Sequence, residues 1–292
     1  MLSITERQNL KTLDIDLKNG AEIARLINNE DKKVALAVAK IIPQIGDAID
    51  KIADSLTEGG RMAYFGCGTS GRLGILDASE LQPTFGLSPK IVQAYIAGGE
   101  QAIRHAVENA EDSELLAEDD FNSFCPQKGD VVVGISASGN PKYLIKIMSL
   151  ARQKGCLTIA ITSNSKAQIN AFADIVLCVS LGAEAIVGSS RMKSGTAQKM
   201  ILNMLSTGVM VKMGKTYQNY MIDLEMTNEK LRLRAIRFIQ EICGVDEKTA
   251  LDALTISKNV KVACVMLKKN CSALQAQQFL TEQNGVLRKV IG

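Results

Sequence analysis

Arg61-Met62-Ala63-Tyr64-Phe65-Gly66-Cys67-Gly68-Thr69-Ser70-Gly71-Arg72 decides the fold class. A short apolar run (61–66) reads as a strand. It stops at small, hydroxyl-bearing residues and re-opens near Ser70 with helical spacing. The same order returns at 130–140, where Asp130-Val131-Val132-Val133-Gly134-Ile135-Ser136 runs into Ala137-Ser138-Gly139-Asn140. Further apolar runs lie at 91–96, 156–162 and 174–179, and helical segments separate most of them. Alternating strands and helices predict an α/β fold. It is a three-layer αβα sandwich around a five-stranded parallel sheet covered on both faces.

Working outward, residues 1–17 read as an arm, and 20–57 as helical with Pro43 as a kink or divider. One long helix is expected from Ser194 to about Met213, and beyond Lys230 only helices. Cys243-Gly244 marks a stop, Asp246 an N-cap, and Ser272 with Gln275 a capping box. The expected domains are an arm with helices at 1–57, a sheet domain at 58–230 and a small helical domain at 231–292.

Composition narrows the function classes. With 292 residues the chain has room for about two domains. A net charge of +3, 4% aromatic residues and no Trp argue against a nucleic-acid partner. Seven scattered cysteines without a CxxC pair read as reduced core residues of a cytoplasmic protein. Residues 1–12 contain no apolar run, so no secretory signal is expected, and no apolar stretch is long enough for a membrane span. The single histidine, His105, makes a histidine-based metal site improbable, and no metal or cofactor is expected. Chemistry then falls to carboxylates, lysines, hydroxyls and backbone N–H groups.

Three loops suit an anion. Gly66 to Arg72 and Ser136 to Asn140 follow strands and open helices. There, small residues admit close approach and the helix start offers unpaired N–H groups. Gly68, Thr69, Ser70, Ser136 and Ser138 are the candidates. Gly188-Ser189-Ser190-Arg191-Met192-Lys193-Ser194 precedes another helix and combines Ser189 and Ser190 with Arg191 and Lys193. Gly66 to Gly71 also spells GxGxxG, so a dinucleotide fold is an alternative, although no acidic residue is clearly placed at the next strand end.

Glu80, in Asp77-Ala78-Ser79-Glu80, and Glu111, in Glu108-Asn109-Ala110-Glu111, are not singled out by spacing among 31 acidic residues. If 70–79 is one helix, it is about 15 Å long, too long for Glu80 to serve a hexose phosphate held at its own helix start. A composite site across a homodimer is therefore expected.

Longer matches narrow the choice. GCGTSGRLGILDASE (66–80), PTFG (83–86), IAGGE (96–100), HAVENAEDS (105–113), DVVVGISASG (130–139) and GSSRMKSGTAQKMILNMLSTG (188–208) resemble one family. So do INNEDKKVALAV (27–38) and TNEKL (227–231). The family is that of the N-acetylmuramic acid 6-phosphate etherases, in the sugar isomerase (SIS) superfamily, with the glucokinase regulatory protein as kin. The resemblance covers nearly the whole chain. Departures are Asn9-Leu10 where the family has NP, Leu81-Gln82-Pro83-Thr84 for CPPT, and Asn140-Pro141-Lys142-Tyr143 for RTPY.

The resemblance implies an SIS-type sheet domain and a carbon–oxygen lyase. This lyase converts N-acetylmuramic acid 6-phosphate into N-acetylglucosamine 6-phosphate and D-lactate, in bacterial cytoplasm, as part of cell-wall sugar recycling. It implies that Glu80 is the catalytic acid, Glu111 a second essential carboxylate, and Thr69, Ser70, Ser136, Ser138, Ser189 and Ser190 the sugar-phosphate contacts. Such a reaction needs one carboxylate held protonated by burial or a neighbouring charge. His105 is read as structural or as a proton handler. A non-catalytic sugar-phosphate regulator and an SIS-type isomerase remain the alternatives.

Overall fold

The computed structural model describes residues 6–226 and 228–292. The first five residues of the expected arm, and Thr227 of the TNEKL match, lie outside them. The chain divides into two compact units, one holding the chain to Ser79 with Lys90–Ser206, the other Glu80–Pro89 with Thr207–Gly292.

The first unit is a parallel five-stranded sheet, β1 Met62–Gly66, β2 Val92–Ile96, β3 Val131–Ile135, β4 Leu157–Thr162 and β5 Ile175–Cys178, in the order β2-β1-β3-β4-β5. The strands fall within a residue or two of the expected runs. β1 and β3 are buried at every position, which is why they read as unbroken apolar runs. Helices cover both faces. Gly74 lets helix α3 (Gly68–Phe85) lie against Tyr64 and Ile135, since a Cβ there would sit 3.0 Å from Tyr64 Cβ. On the opposite face Gly134 meets Met148 of α6 (Lys142–Lys154), over a core of Phe65, Phe124, Leu144 and Ile147. The two faces with their helices make the expected αβα sandwich.

Helix α1, Gly20–Ala39, starts on a capping box between Asn19 and Glu22. Pro43 opens α2, Ile42–Thr57, instead of kinking a longer helix. Ile45, Ala48, Ile52 and Leu56 bury one face of α2. The arm is tied down by Asn9 Nδ2 donating to the Ala183 carbonyl at 3.2 Å and Thr12 Oγ1 to that of Ala185 at 2.7 Å. Of the remaining helices, α4 is Gly99–Arg104, α5 Glu114–Phe124 and α7 Lys193–Lys212.

The second unit is helical: α8 Glu229–Cys243, α9 Glu247–Ser257, α10 Val260–Lys269, α11 Ala273–Glu282 and α12 Leu287–Ile291. Side-chain caps at Asn228, Asp246, Asn259 and Ser272 start four of them. Its core includes Ile239, Ala263, Cys264 and Leu287. A small hairpin, β6 Thr216–Tyr217 and β7 Tyr220–Met221, precedes the helices; two-residue strands leave no periodicity to read. By compactness the N-terminal helices fall in the sheet unit, and Glu80–Pro89 joins Thr207–Gly292 in the helical one.

One element differs from expectation in a way that bears on function. α3 runs to Phe85, so Glu80 sits inside it and not after it. Pro83 lies in its last turn and removes only the N–H that would face the Ser79 carbonyl, on an exposed residue. α3 and α7 each pass from one unit into the other, and Glu80 is the first residue beyond that boundary.

Candidate active site

The chain order β1, β2, then β3 on the other side of β1 makes a switch point between β1 and β3. Ligands of open α/β sheets bind at the carboxyl ends of strands at such a point. Gly66 pairs with Ile135, so the first two expected loops start side by side. The third joins them. Thr69 Cγ2 lies 3.5 Å from where a Gly195 Cβ would stand, and Ser70 Oγ donates to Gln198 Oε1 at 3.0 Å. The starts of α3 and α7 thus converge.

The hydroxyls differ in freedom. Ser70 is buried and its hydroxyl is committed to Gln198. Thr69 is half-buried in the first turn of α3 and Gly68 is exposed in a left-handed conformation at φ 52°. Ser136 Oγ accepts the Gly139 N–H at 2.9 Å, which shapes the second loop, and lies 3.5 Å from Ser138 Oγ. Ser138, Ser189 and Ser190 are half-buried, and Arg191 is exposed. Gln198, 2% exposed, has a buried Nε2 with no acceptor among the described residues. That amide N–H is an anion or water donor in waiting beside the converging helix starts.

Lys193 corrects the expectation of an anion-binding lysine. It is 1% exposed, and its ammonium donates to Glu30 Oε2 at 2.6 Å and to the Leu181 and Ala183 carbonyls at 3.0 and 2.6 Å. Three donors meet three acceptors, so none is left for substrate. Glu30 also pairs with Lys33. Burial alone would raise its pKa, but hydrogen bonds from Lys193, then Lys33 and Asn9, hold it at about 2. Glu184, 1% exposed, accepts from Lys193 N–H and Ser194 N–H at 2.9 Å each and caps α7. Sequence reading missed both acids, since neither stands near a motif residue that announces its partner.

Glu111 follows Asn109, whose φ of 60° turns the chain into a short 3₁₀ turn, Ala110–Asp112. It lines a cavity of about 260 Å³ with Cys67, Gly68, Arg72, Ala97, His105 and neighbouring residues. This cavity opens beside the first loop, so Glu111 and His105 share a pocket with Gly68. Arg72 Nε donates to the Ile103 carbonyl at 2.8 Å and thereby holds the chain leading to His105. Burial, then the negative charges of Glu111 and Asp112, push the Cys67 thiol far up, which makes it a neutral wall and no nucleophile.

Glu80 is exposed and belongs to the other unit. Asp77, one turn earlier, is a brace. It is 5% exposed and accepts from Tyr64 Oη at 3.0 Å and Ser206 Oγ at 3.1 Å. The expected burial of one reacting carboxylate is not met within a single chain, since Glu80 and Glu111 are both exposed.

Comparison with known proteins fits this layout. Residues 44–152 match the family model of the glucokinase regulatory protein N-terminal SIS domain, 117–208 the SIS domain, and 218–258 the C-terminal lid domain of the glucokinase regulatory protein. The N-acetylmuramic acid 6-phosphate etherase of Glaesserella parasuis is 44% identical over 287 residues, 98% of this chain and 94% of that one. That of Escherichia fergusonii is 46% identical over 289 residues, 99% and 97% of the two chains. The chain belongs to the N-acetylmuramic acid 6-phosphate etherase family. Its fold extends further: a phosphoheptose isomerase from Francisella tularensis, 17% identical, superposes over 66% of this chain and 98% of its own with a TM-score of 0.51. Gly68, Thr69, Ser136 and Ser138 lie at the switch-point loops and Glu111 and His105 line the adjoining cavity, whereas Glu80 belongs to the other unit and Lys193 is buried against Glu30. No helix among the described residues is long and apolar enough to cross a membrane.

Proposed function

We propose that this chain cleaves the D-lactyl ether of N-acetylmuramic acid 6-phosphate, giving N-acetylglucosamine 6-phosphate and D-lactate in the cytoplasm. Near-full-length identity to the etherases carries the reading. The sugar phosphate is held by Gly68, Thr69, Ser136, Ser138, Ser189, Ser190 and Arg191, while Ser70, its hydroxyl given to Gln198, shapes the loop. The unpartnered Gln198 amide completes the cradle.

The chemistry runs on two carboxylates. With the sugar ring open, the C2–H stands next to the C1 aldehyde, and a carboxylate base removes it. The C3–O bond breaks with protonation of the leaving lactate oxygen. Water adds to C3 and C2 regains a proton, so the sum is ether plus water to two alcohols. Glu80 acts as the acid and Glu111 as the second carboxylate, each contributing about 10²–10⁴-fold. His105, in the Glu111 cavity, orients or relays a proton.

The working enzyme is a homodimer with a composite site. Glu80 stands about 18 Å along α3 from Gly68, at 1.5 Å per residue, more than a hexose phosphate spans. A partner subunit also supplies the burial that an exposed acid group lacks. Mixing Thr69→Ala with Glu80→Gln subunits, each inactive alone, restores part of the activity; no recovery at all would count against sharing. Running the reaction in D₂O enriched in H₂¹⁸O tests the chemistry. Deuterium at C2 and ¹⁸O at C3 of the sugar are expected. ¹⁸O in lactate would overturn elimination and hydration.

A further inference from the structure

We infer that the C-terminal helical unit is the mount for Glu80, and that Lys261, acting through Asp223, is the positioning residue that fixes the turn carrying it. The inference rests on the reading of Glu80 as the acid of the reaction.

Glu80–Pro89 packs with Thr207–Gly292 as one compact unit. Two contacts join the segment to residues 223–225. Gly86, at φ +60°, donates its N–H to the Gln82 carbonyl at 2.8 Å and ends α3. A Cβ on Gly86 would stand 2.5 Å from the Asp223 carbonyl oxygen, so only glycine permits this approach. On the turn that bears Glu80, Gln82 Nε2 donates to Glu225 Oε2 at 3.4 Å. Residues 223–225 therefore grip the end of α3 at two points.

That strap is itself pinned. Ile222 and Leu224, 1% and 7% exposed, enter the helical core on either side of Asp223. The Asp223 side chain turns to two lysines: Oδ2 accepts from Lys261 Nζ at 2.6 Å and lies 3.1 Å from Lys215 Nζ. Lys261 is 7% exposed on α10 between Val260 and Val262, an apolar setting for an ammonium. Burial pulls its pKa down, and Asp223 opposes that pull. An apolar residue would fill the same space, but the buried charge, with Lys215 beside it, specifies where the Asp223 carboxylate must stand. The linkage runs from α10 through Lys261 and the Asp223 backbone to Gly86, six residues from Glu80. Misplacing a reacting group by an ångström costs roughly 10²-fold in rate.

The test measures kcat and KM for lactate release by wild type, Lys261→Met, Lys261→Arg and Glu80→Gln, with thermal unfolding of each. Lys261→Met should lower kcat by about 10–100-fold with KM within about threefold, since no sugar-phosphate loop lies in this unit, and Lys261→Arg should restore most of it. If Lys261→Met does not fold, Gly86→Ala perturbs the same contact and should give the same split. Unchanged kcat in a folded Lys261→Met or Gly86→Ala, beside an inactive Glu80→Gln, would overturn the mount and leave the Glu80 reading standing. Full activity in Glu80→Gln would overturn both.

Discussion

Replacing Lys193 by methionine keeps the length of the side chain and removes its charge. Glu30 then loses a buried partner at 2.6 Å, and the Leu181 and Ala183 carbonyls lose their donor. Breaking a buried pair from one side costs about 3–5 kcal/mol, and each orphaned buried acceptor about 1–3. The costs overlap, and Lys33 still holds Glu30, so about 3–5 kcal/mol is expected in all. The depressed Glu30 pKa reflects the pull of Lys193, Lys33 and Asn9 together against burial, and so sets the scale for all three partners. A fall from 4.5 to about 2 corresponds to about 3 kcal/mol. The folded-state pKa lies below the unfolded one. The contribution is therefore fully present above pH 4.5 and is lost as pH falls through about 2. Urea unfolding of wild type and Lys193→Met should differ by about 3–5 kcal/mol at pH 7, and the gap should narrow steadily below pH 4.5. A gap under about 1 kcal/mol at pH 7, or one that ignores pH, would refute the buried-pair argument.

Two further outcomes follow from local geometry. Cys67, half-buried and raised in pKa, should alkylate at pH 8 at least about 100-fold more slowly than exposed Cys125, as read by peptide mass spectrometry; equal labelling would contradict its neutral, walled setting. Gly139, at φ +68° with a Cβ position 2.3 Å from Ala167 Cβ, should lose about 2–3 kcal/mol on Gly139→Ala, measured by urea unfolding, and KM for the sugar phosphate should rise because the Ser136–Gly139 bond shapes the second loop. A change under about 0.5 kcal/mol with KM unmoved would remove the case for that turn.

How far the sequence carried the reading depends on distance along the chain. β1, β3 and β4 were legible because strands buried on both faces must be apolar throughout, and the glycine and serine turns after them are local chemistry. The end of α3 was misplaced because Pro83 reads as a breaker, whereas a last-turn proline removes only one bond. Lys193 looked like a substrate ligand because its neighbours are serines and an arginine. Its true partner, Glu30, stands 163 residues away on α1, and no spacing rule reaches that far. Glu80 and Glu111 carry no local signature, and only resemblance over long motifs picked them out. That Glu80 belongs with the C-terminal helices was not legible at all, since its turn meets them through Gln82 and Glu225, 143 residues apart in the chain.

The most direct test of the account is D-lactate release from N-acetylmuramic acid 6-phosphate by wild type, Glu80→Gln and Glu111→Gln, all shown to be folded. Release by wild type and a loss of at least about 10²-fold in each variant is the predicted result. No release by folded wild type, with sugar phosphate still bound, would contradict the etherase reading and leave a binding protein in its place.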